Sequence, residues 1–410
     1  MLNIVYSSFP FGDGESFVEY EIPRLNDISE KQYRIFSLYK GKEKQIKRKV
    51  DICGEVFTIE PSMPDYIKGL FSFFSPRVWK EFTPLKNRLC RDSLSRCLWR
   101  MLYYRAYGYA LLKKAGKIGI SENDVFVSYW LNECAYAAIM LKKRYKGIKI
   151  VSRAHGFDVF AERCYLPFRN ELFEKIDCVY PINNVEKQYI LDRYSDVISD
   201  ERIRVCHLGI DLPDRYSPNA DRSHFTIVTC SSIIQLKRLD LMIDALSEIH
   251  EFRFKWLHIG GGPLEKQIKE YAAKKLCAPN QSFEFIGQIP LPEVHRIYRE
   301  NEAALFVNCS DTEGVPVSIM EAMSYGIPTA ARDVGGNSEI VDNTNGVLLK
   351  SNCTAHDLAD AIRNVYYFDN SEYTKMRRAA REKVEREFNA DIQYCSMFKE
   401  VMKPHADRSL

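Results

Sequence analysis

The stretch Ser310-Asp-Thr-Glu-Gly-Val-Pro-Val-Ser-Ile-Met-Glu-Ala-Met323 decides the fold that this sequence predicts. Residues 302–308, just before it, are mostly apolar and predict a short buried strand that ends in an acidic loop. Pro316 suits the first position of a helix, and the apolar pattern after it predicts a buried helix that stops at 325–328. A strand, a loop and a helix in this order are the repeating unit of an α/β domain.

The same stretch places two carboxylates, those of Glu313 and Glu321, around a helix N-terminus. Backbone N–H groups at a helix N-terminus attract anions such as a diphosphate. Carboxylates are unfavourable beside a phosphate unless they face hydroxyl groups instead. A nucleotide sugar, with a central diphosphate and hydroxyl-rich ends, satisfies both conditions. The alternative is a solvated loop acid and an unrelated acid on an exposed helix face.

Two further segments give this stretch a family resemblance. Glu313-x7-Glu321 is followed by Ala-Met-Ser-Tyr-Gly-Ile-Pro and then by Gly335-Gly-Asn-Ser-Glu-Ile-Val341. The whole resembles the donor-site signature of the family 4 retaining glycosyltransferases, in the branch that builds capsular and exopolysaccharides. The resemblance implies the α/β fold called GT-B, in which two Rossmann-like domains face each other across a cleft. It also implies that the C-terminal helix crosses back to the N-terminal domain.

The resemblance assigns roles to residues of this stretch. It implies that Glu313 contacts the transferred sugar and that Glu321 holds the nucleotide ribose. The backbone of Gly314, Val315 and Pro316 is expected to meet the diphosphate.

A basic strand-to-helix junction is the second part of the expected donor site. Lys237 and Arg238 follow the apolar run 225–230 and precede an amphipathic helix. Two cations there would neutralise a diphosphate and the charge that develops on the leaving group; the alternative is an ordinary surface pair. Most members of the family place an arginine five residues before this lysine, where this chain has Ser232. We expect Arg238 to supply the missing charge.

A further strand end, at 283–288, contains Ile286 and Gly287. The family places the nucleotide base beside the backbone at this point, so both residues are expected to bind the donor. Backbone contacts do not reveal which base is bound, and a uridine nucleotide is the expectation from the resemblance.

The N-terminal half begins with the apolar strand 2–6 and a loop that contains Gly12 and Gly14. A strand, a glycine-containing loop and a helix are typical of the start of a doubly wound α/β domain. In the family this loop meets the acceptor and the donor phosphate, and we expect Gly14 to do so here. For Gly12, a plain turn is the alternative.

His155 is the candidate catalytic residue of this half. It follows a predicted strand in Arg153-Ala-His-Gly-Phe-Asp158, which resembles a segment of the polysaccharide-building branch of family 4 in which the histidine lies near the reacting sugar. Ligands bind at such strand ends in open α/β sheets. The alternative is a histidine satisfied by local backbone. Arg153 and Asp158 are expected to shape the loop.

The length of 410 residues indicates two domains, because single hydrophobic cores stop growing well below that size. We predict an N-terminal acceptor domain at 1–211, to which 390–410 return, and a C-terminal donor domain at 212–389. The extended segment 204–211 resembles the strand end at the family's hinge. A polar, proline-containing linker follows it at 212–222.

Composition excludes several classes of protein. The chain is 46% hydrophobic and 28% charged, as in ordinary globular proteins, and its net charge of +3 is too small to indicate a nucleic-acid partner. The 12 scattered cysteines favour reduced thiols in a reducing compartment over disulfides or zinc. Without a membrane-spanning run or a signal-peptide pattern, the sequence predicts a cytoplasmic protein.

Residues 66–117 differ from the rest of the chain. They contain six Lys and six Arg against Glu81 and Asp92, with eleven aromatic residues interleaved. A basic, aromatic, amphipathic segment is typical of contact with the inner face of a membrane, where lipid-linked acceptors lie. One alternative is a solvated helical insertion whose arginine stems cover apolar surface. Another is nucleic-acid binding, which is less favoured because no signature of a nucleic-acid module accompanies the charge.

Taken together, the sequence predicts a retaining glycosyltransferase that moves a sugar from a nucleotide-diphosphate sugar to a glycan or lipid-linked acceptor. Glu313, Lys237 and His155 are the expected catalytic residues, and neither a metal nor a resident cofactor is expected. One alternative is a non-hydrolysing sugar-nucleotide epimerase on the same fold. Another is a non-catalytic scaffold that binds a nucleotide sugar or a membrane.

Overall fold

The structure, a computed structural model, describes residues 1–12, 15–30, 32–38, 41, 50–74, 92–214, 216, 225–300 and 303–403. The chain divides into two compact units. Unit 1 contains Met1–His207 and the chain from Gln393 onward, and unit 2 contains Leu208–Ile392.

Unit 1 is built on a parallel sheet of six strands. These are β1 (Leu2–Tyr6), β2 (Tyr33–Ser37), β3 (Glu55–Thr58), β4 (Val125–Ser128), β5 (Lys149–Ala154) and β6 (Cys178–Pro181). They lie in the order β3-β2-β1-β4-β5-β6. The helices are α1 (Ile22–Ile28), α2 (Met63–Phe71), α3 (Leu94–Ile118), α4 (Glu133–Met140), α5 (Gly156–Val159), α6 (Arg169–Lys175) and α7 (Asn184–Tyr194).

Unit 2 repeats this architecture. Its strands are β7 (Phe225–Cys230), β8 (Phe254–Ile259), β9 (Gln281–Gly287), β10 (Leu305–Asn308), β11 (Thr329–Arg332) and β12 (Gly346–Leu349), in the order β12-β11-β10-β7-β8-β9. Its helices are α8 (Leu239–Ser247), α9 (Glu265–Lys275), α10 (Leu291–Glu300), α11 (Val317–Ser324), α12 (Asn337–Ile340), α13 (Ala355–Tyr367) and α14 (Asn370–Glu387). A last helix, α15 (Ala390–Val401), begins in unit 2 and belongs to unit 1 from Gln393.

Both sheets have the doubly wound strand order, which confirms two Rossmann-like domains. The order reverses between β1 and β4 in unit 1 and between β7 and β10 in unit 2. Open α/β sheets bind ligands at the carboxyl ends of the strands at such a switch point. The central strands are apolar over nearly their whole length because helices cover both faces of a parallel sheet, as the fully buried β1 shows.

The C-terminal helix packs against unit 1. The ring of Tyr394 lies 5.2 Å from the guanidinium of Arg153 on β5, and Lys149 Nζ donates to the carbonyl of Lys403 at 3.1 Å. Cys206 Sγ lies 3.8 Å from the carbonyl oxygen of Gln393. The predicted return of the C-terminal helix to the N-terminal domain is therefore confirmed.

Three local predictions need correction. Pro316 is the residue before the first turn of α11, because its ψ of 107° is extended and not helical. Residues 204–211, all described, form an isolated bridge at Ile210 and no strand. Finally, α3 is a core helix, since Met101, Leu111 and Ala115 are fully buried. It is not a surface insertion.

A buried ion pair connects two elements of unit 1. Arg153 Nη1 lies 3.2 Å from Glu21 Oε2, and neither side chain is exposed to solvent. Arg153 also donates to the carbonyls of Cys206 and His207. Removing one partner of a buried pair leaves the other charge desolvated and uncompensated.

We expect Glu21→Ala to lower the free energy of unfolding by about 3–5 kcal/mol, because Arg153 would stay buried without its counter-ion. The matched control is Glu55→Ala, which breaks the 3.1 Å pair with Arg34 at a carboxylate that is 66% exposed. That change should cost about 0–1 kcal/mol. Urea denaturation measures both, and equal losses would contradict this account.

Candidate active site

The switch point of unit 2 brings together two loops that lie far apart in sequence. The loop 231–238 follows β7, and the loop 309–316 follows β10. The two strands pair in parallel, with Leu305 opposite Ile227, so their carboxyl ends lie side by side. Asp311 N–H donates to the carbonyl of Leu236 at 2.9 Å, which fixes one loop against the other.

An ion pair between Lys237 and Glu313 lies at the centre of these loops. Lys237 Nζ is 2.6 Å from Glu313 Oε1, and Asn308 Nδ2 donates to the same oxygen at 3.1 Å. The side chain of Glu313 is only 10% exposed and that of Lys237 21%. Charge-assisted hydrogen bonds of this length hold both groups in fixed positions. Two of the three predicted catalytic side chains are therefore in direct contact.

Arg238 is held by carboxylates. It adopts the left-handed conformation, with φ of 49°, and its guanidinium donates to Asp240 and, at 3.2 Å, to Asp311. Asp311 also accepts from Arg332. Although burial opposes it, hydrogen bonds from Arg332 and Arg238 hold the pKa of Asp311 below its usual value. Ser232 is exposed near the start of this loop, and compensation for it by Arg238 stays a prediction.

The helix α11 begins directly after the acidic loop. Its first-turn amides follow the extended Pro316, and Val315 is 6% exposed. Gly314 lies beside the loop after β11, because Gly336 N–H donates to the Gly314 carbonyl at 2.8 Å. The arrangement gives a helix N-terminus next to Lys237, which is the geometry expected of an anion site.

Gly335 allows the close packing of these two loops. Its φ is +57°, and a Cβ at this position would lie 2.0 Å from the carbonyl oxygen of Glu313. A side chain here would both strain the backbone and push against Glu313. The Gly-Gly sequence noted at 335–336 therefore has a packing role at the site.

Glu321 lies inside α11 and is 7% exposed. Its carboxylate lies near the thiol of Cys230, at the carboxyl end of β7. Burial, together with the charge of Glu321, raises the pKa of that thiol to about 12. Both carboxylates of the predicted pair are thus at the switch point of the same sheet.

Ile286 and Gly287 end β9 and are half-buried. Gly287 has φ of +84°, and its carbonyl accepts from Gly260 N–H at 2.9 Å. β9 is the edge strand of the sheet and is separated from β7 by β8.

His155 lies at the switch-point side of unit 1, just before α5. Its ring is 6% exposed and packs 4.5 Å from the ring of Trp130 and 5.1 Å from that of Tyr129, measured between centroids. Among the described residues, neither ring nitrogen has a hydrogen-bond partner. Burial, and then the charge of Arg153, lower the pKa of His155 well below its usual value, so the imidazole is neutral. Gly14 lies outside the described residues.

One residue important to this region, Glu15, has no role in the sequence analysis. Glu15 accepts hydrogen bonds from the backbone N–H groups of Ser7, Ser8 and Phe9 and from the Trp130 indole. It thereby fixes the loop after β1 and the ring that packs on His155. In the sequence Glu15 directly follows a glycine-containing loop, and this pattern predicts only an ordinary turn.

Asp158 holds the His155 loop, as expected from the sequence. Its carboxylate accepts from His155 N–H and Leu131 N–H, both at 2.7 Å. Burial raises the pKa of Asp158 to about 7. The hydrogen bonds connect the ends of β4 and β5.

Within the described ranges, no group of three or more His, Cys, Asp or Glu residues is arranged to hold a metal ion. None of the helices in those ranges combines the length and the apolarity that crossing a membrane requires.

Comparison with known proteins agrees with this geometry. Residues 214–383 match the family described as glycosyl transferases group 1. The chain is 27% identical over 289 residues to the putative colanic acid biosynthesis glycosyltransferase WcaL of Escherichia coli K12, covering 66% of this chain and 68% of that protein. It is 24% identical over 283 residues to the amylovoran biosynthesis glycosyltransferase AmsK of Erwinia amylovora, with coverage of 66% and 68%.

Solved structures match over the whole length. HepE of Anabaena in complex with UDP superposes with a TM-score of 0.67 at 14% identity, covering 98% of both chains. The lipopolysaccharide outer core galactosyltransferase WaaB, in its apo form, gives a TM-score of 0.68 at 16% identity with the same coverage. At these identities the structures show the fold. Together with the sequence matches, they support a glycosyltransferase of the GT-B fold.

We expect Gly335→Ala to destabilise unit 2 by more than about 1 kcal/mol, because it adds a clash with Glu313 to the strain of a left-handed backbone. Gly119→Ala is the matched control: φ there is +72°, and a Cβ would meet nothing within 4 Å. That change should lower the stability only by the cost of the strained backbone. Thermal unfolding compares the two, and equal shifts would show that the contact with Glu313 is unimportant.

Proposed function

We propose that the protein transfers a sugar, with retention of anomeric configuration, from a uridine-diphosphate sugar to a glycan or lipid-linked glycan in exopolysaccharide biosynthesis. The observation that carries the proposal is the contact of Lys237 with Glu313 beside the N-terminus of α11. A cation and backbone amides suit the diphosphate, and the carboxylate suits the hydroxyls of the sugar.

The relatives support the choice of substrates. Their names assign them to colanic acid and amylovoran biosynthesis, which are pathways of extracellular polysaccharide synthesis. HepE, which has the same fold, has been crystallised with UDP and with UDP-glucose. These ligands agree with the anion site that the loops of unit 2 form.

In the proposed reaction the acceptor hydroxyl attacks the anomeric carbon from the face that the diphosphate leaves. The bond from the anomeric carbon to the diphosphate oxygen breaks, and the acceptor proton passes to the departing phosphate. Lys237 and the amides of α11 stabilise the negative charge that develops on the diphosphate. Glu313 positions the transferred sugar, and Glu321 accepts hydrogen bonds from the ribose hydroxyls.

The proposal includes neither an enzymatic nucleophile nor a resident metal, because Lys237 and the helix amides supply the positive charge. His155 is assigned to the reacting sugar. Its neutral imidazole can accept or donate a hydrogen bond to a hydroxyl group. Packing against Trp130 fixes the plane of the ring.

The donor site is tested by calorimetric titration with UDP, GDP and ADP. Glu321→Ala should weaken binding of the preferred nucleotide by about 1–3 kcal/mol, because it removes a charged acceptor of hydrogen bonds. Glu284→Ala is the control, since this acid is 55% exposed on β9 and pairs with Lys255. It should leave the affinity unchanged. A folded protein that binds none of the three nucleotides would contradict the proposal.

Incubation with a UDP-sugar separates transfer from its alternatives. A transferase releases UDP in proportion to added acceptor. An epimerase changes the sugar of the donor without acceptor and without net release of UDP. A scaffold binds the nucleotide and does neither.

We also propose that α2 contacts the cytoplasmic face of a membrane. This helix has an inverted pattern: it buries Asp65 and Gly69, whereas its apolar side chains face solvent. Four of its residues and one in the following turn are more than half exposed: Met63, Ile67, Leu70, Phe71 and Phe74. The sequence that follows, 75–91, carries five basic residues and one acid, and lies outside the described residues. Apolar insertion together with basic residues suits an anionic lipid surface.

We expect the double change Ile67→Ser with Phe71→Ser to reduce binding to vesicles of phosphatidylglycerol and phosphatidylcholine at least tenfold. Burial of each such side chain is worth up to about 1.5–3 kcal/mol. Tyr367→Ser, at a 63% exposed aromatic residue of unit 2, is the control. Co-sedimentation measures the bound fraction. If wild type and double variant sediment equally, α2 is not the membrane contact.

A further inference from the structure

Unit 1 contains a cavity of about 550 Å³ at its own switch point, here called the aromatic pocket. Its volume is within the range of small-molecule sites, about 300–1,000 Å³. Its walls come from the loops after β1 and β4, from α3 and from the start of α5. The lining residues are Ser7, Ser8, Glu15, Trp99, Arg100, Tyr103, Tyr104, Trp130, Asn132, Glu133, Phe157, Asp158, Cys164 and Leu166.

Aromatic rings dominate the walls of the pocket. Trp99 and Phe157 are 57% and 60% exposed, although each is a large apolar side chain. Trp130 is oriented by its indole N–H, which donates to Glu15. The same ring packs on His155, so the pocket lies directly beside the candidate catalytic imidazole. Exposed rings around a cavity favour a ligand that has an apolar face.

The charged groups of the pocket are mostly carboxylates. Glu15 and Asp158 are saturated by hydrogen bonds from their own loops. Arg100, the one arginine among the lining residues, donates to the carbonyl of Tyr165 at 2.8 Å and lies 3.8 Å from Asp92. Glu133 adds a half-buried acid at the first turn of α4. Three acids against one arginine make the pocket less favourable for an anion than for a neutral ligand.

A pyranose ring has the complementary chemistry. One of its faces presents C–H groups that stack on aromatic rings, and its edge carries hydroxyls that donate to carboxylates and accept from amides. Asn132, which caps α4, and Glu133, in its first turn, are neighbours that can meet that edge. A uronic acid or a phosphorylated sugar would bring a second negative charge close to Glu133, which is unfavourable.

We infer that the aromatic pocket binds an uncharged pyranose residue of the acceptor, stacked on Trp99 or Trp130 and hydrogen-bonded to Glu133. The inference rests on the proposed function, because it assigns the acceptor to this pocket. It adds the chemical class of the accepting residue: a neutral sugar and not an acidic one.

The test is a titration of the full chain, saturated with UDP, with methyl glycosides of glucose, galactose, mannose and N-acetylglucosamine. The methyl glycoside of glucuronic acid is the charged counterpart. Tryptophan fluorescence reports binding, because Trp99 and Trp130 line the pocket. We expect at least one neutral glycoside to bind about tenfold or more tightly than the glucuronide. Equal or tighter binding of the glucuronide, or no response to any neutral glycoside up to its solubility limit, would overturn the inference.

Two variants and a control make the test specific. Trp99→Ala should lower the affinity for the neutral glycoside about tenfold, because a stacking surface is lost. The position is exposed, so alanine should not disturb the fold. Glu133→Gln should reduce the ratio of the affinities for neutral and acidic glycosides, because it removes a negative charge. If Glu133 had only a structural role, that ratio would not change. Phe74→Ala, at a 79% exposed ring outside the pocket, should change neither affinity. An unchanged preference in Glu133→Gln would also overturn the inference.

The affinity for UDP separates this inference from the proposed function. Trp99→Ala and Glu133→Gln should bind UDP as the wild type does, because the loops of the donor site belong to unit 2. If UDP fails to bind to the wild type, the proposed function fails. If UDP binds but the protein does not bind a neutral glycoside more tightly than the glucuronide, only the assignment of the pocket fails.

Discussion

The ion pair between Lys237 and Glu313 joins residues 76 positions apart and depends on the pairing of β7 with β10. Each of these strands ends in a loop that would be unremarkable alone. Because the order of the sheet reverses between them, both loops leave from neighbouring carboxyl ends and their charged side chains meet. A ligand that displaces Glu313 from Lys237 has to bring its own negative charge, since Lys237 is largely withdrawn from water. The sheet order thus brings together the charged groups of the proposed anion site.

The fold was predictable because its signals are local. A strand, a glycine-containing loop and a buried helix occupy consecutive residues, and the pattern at 302–323 predicts all three. The errors occurred where local signals are weak. The segment 204–211 has the composition of a strand but pairs only at Ile210, and Pro316 lies one position outside the helix. The composition of 66–117 predicts one surface segment, whereas α3 within it packs one face into the core and α2 carries exposed apolar residues.

The candidate site was predictable in part, and the limit is sequence separation. Glu313 and Glu321 lie in one short motif, so their proximity could be inferred. The contact of Glu15 with Trp130 spans 115 residues, and that of Glu21 with Arg153 spans 132. No local pattern reveals such partners. For Arg238 the sequence predicts that the charge faces a ligand, but it does not reveal the carboxylates of Asp240 and Asp311 that the guanidinium contacts.

The carboxylates at the two switch points have different partners. This difference determines which charge each site can accept in a ligand. In unit 2 the acid of the site is neutralised by a cation, so an anionic ligand can replace it. In unit 1 Glu15 is satisfied by backbone N–H groups and an indole, which hold it in place without any cation. The one arginine of the pocket, Arg100, donates to the carbonyl of Tyr165, so the pocket offers an anion little positive charge and has to bind through shape and stacking. Apolar walls reject an additional hydroxyl only weakly, whereas a buried polar group left unpaired is costly. Discrimination among neutral sugars would therefore depend on the few polar groups at the pocket edge, chiefly Glu133 and Asn132, and not on its aromatic rings.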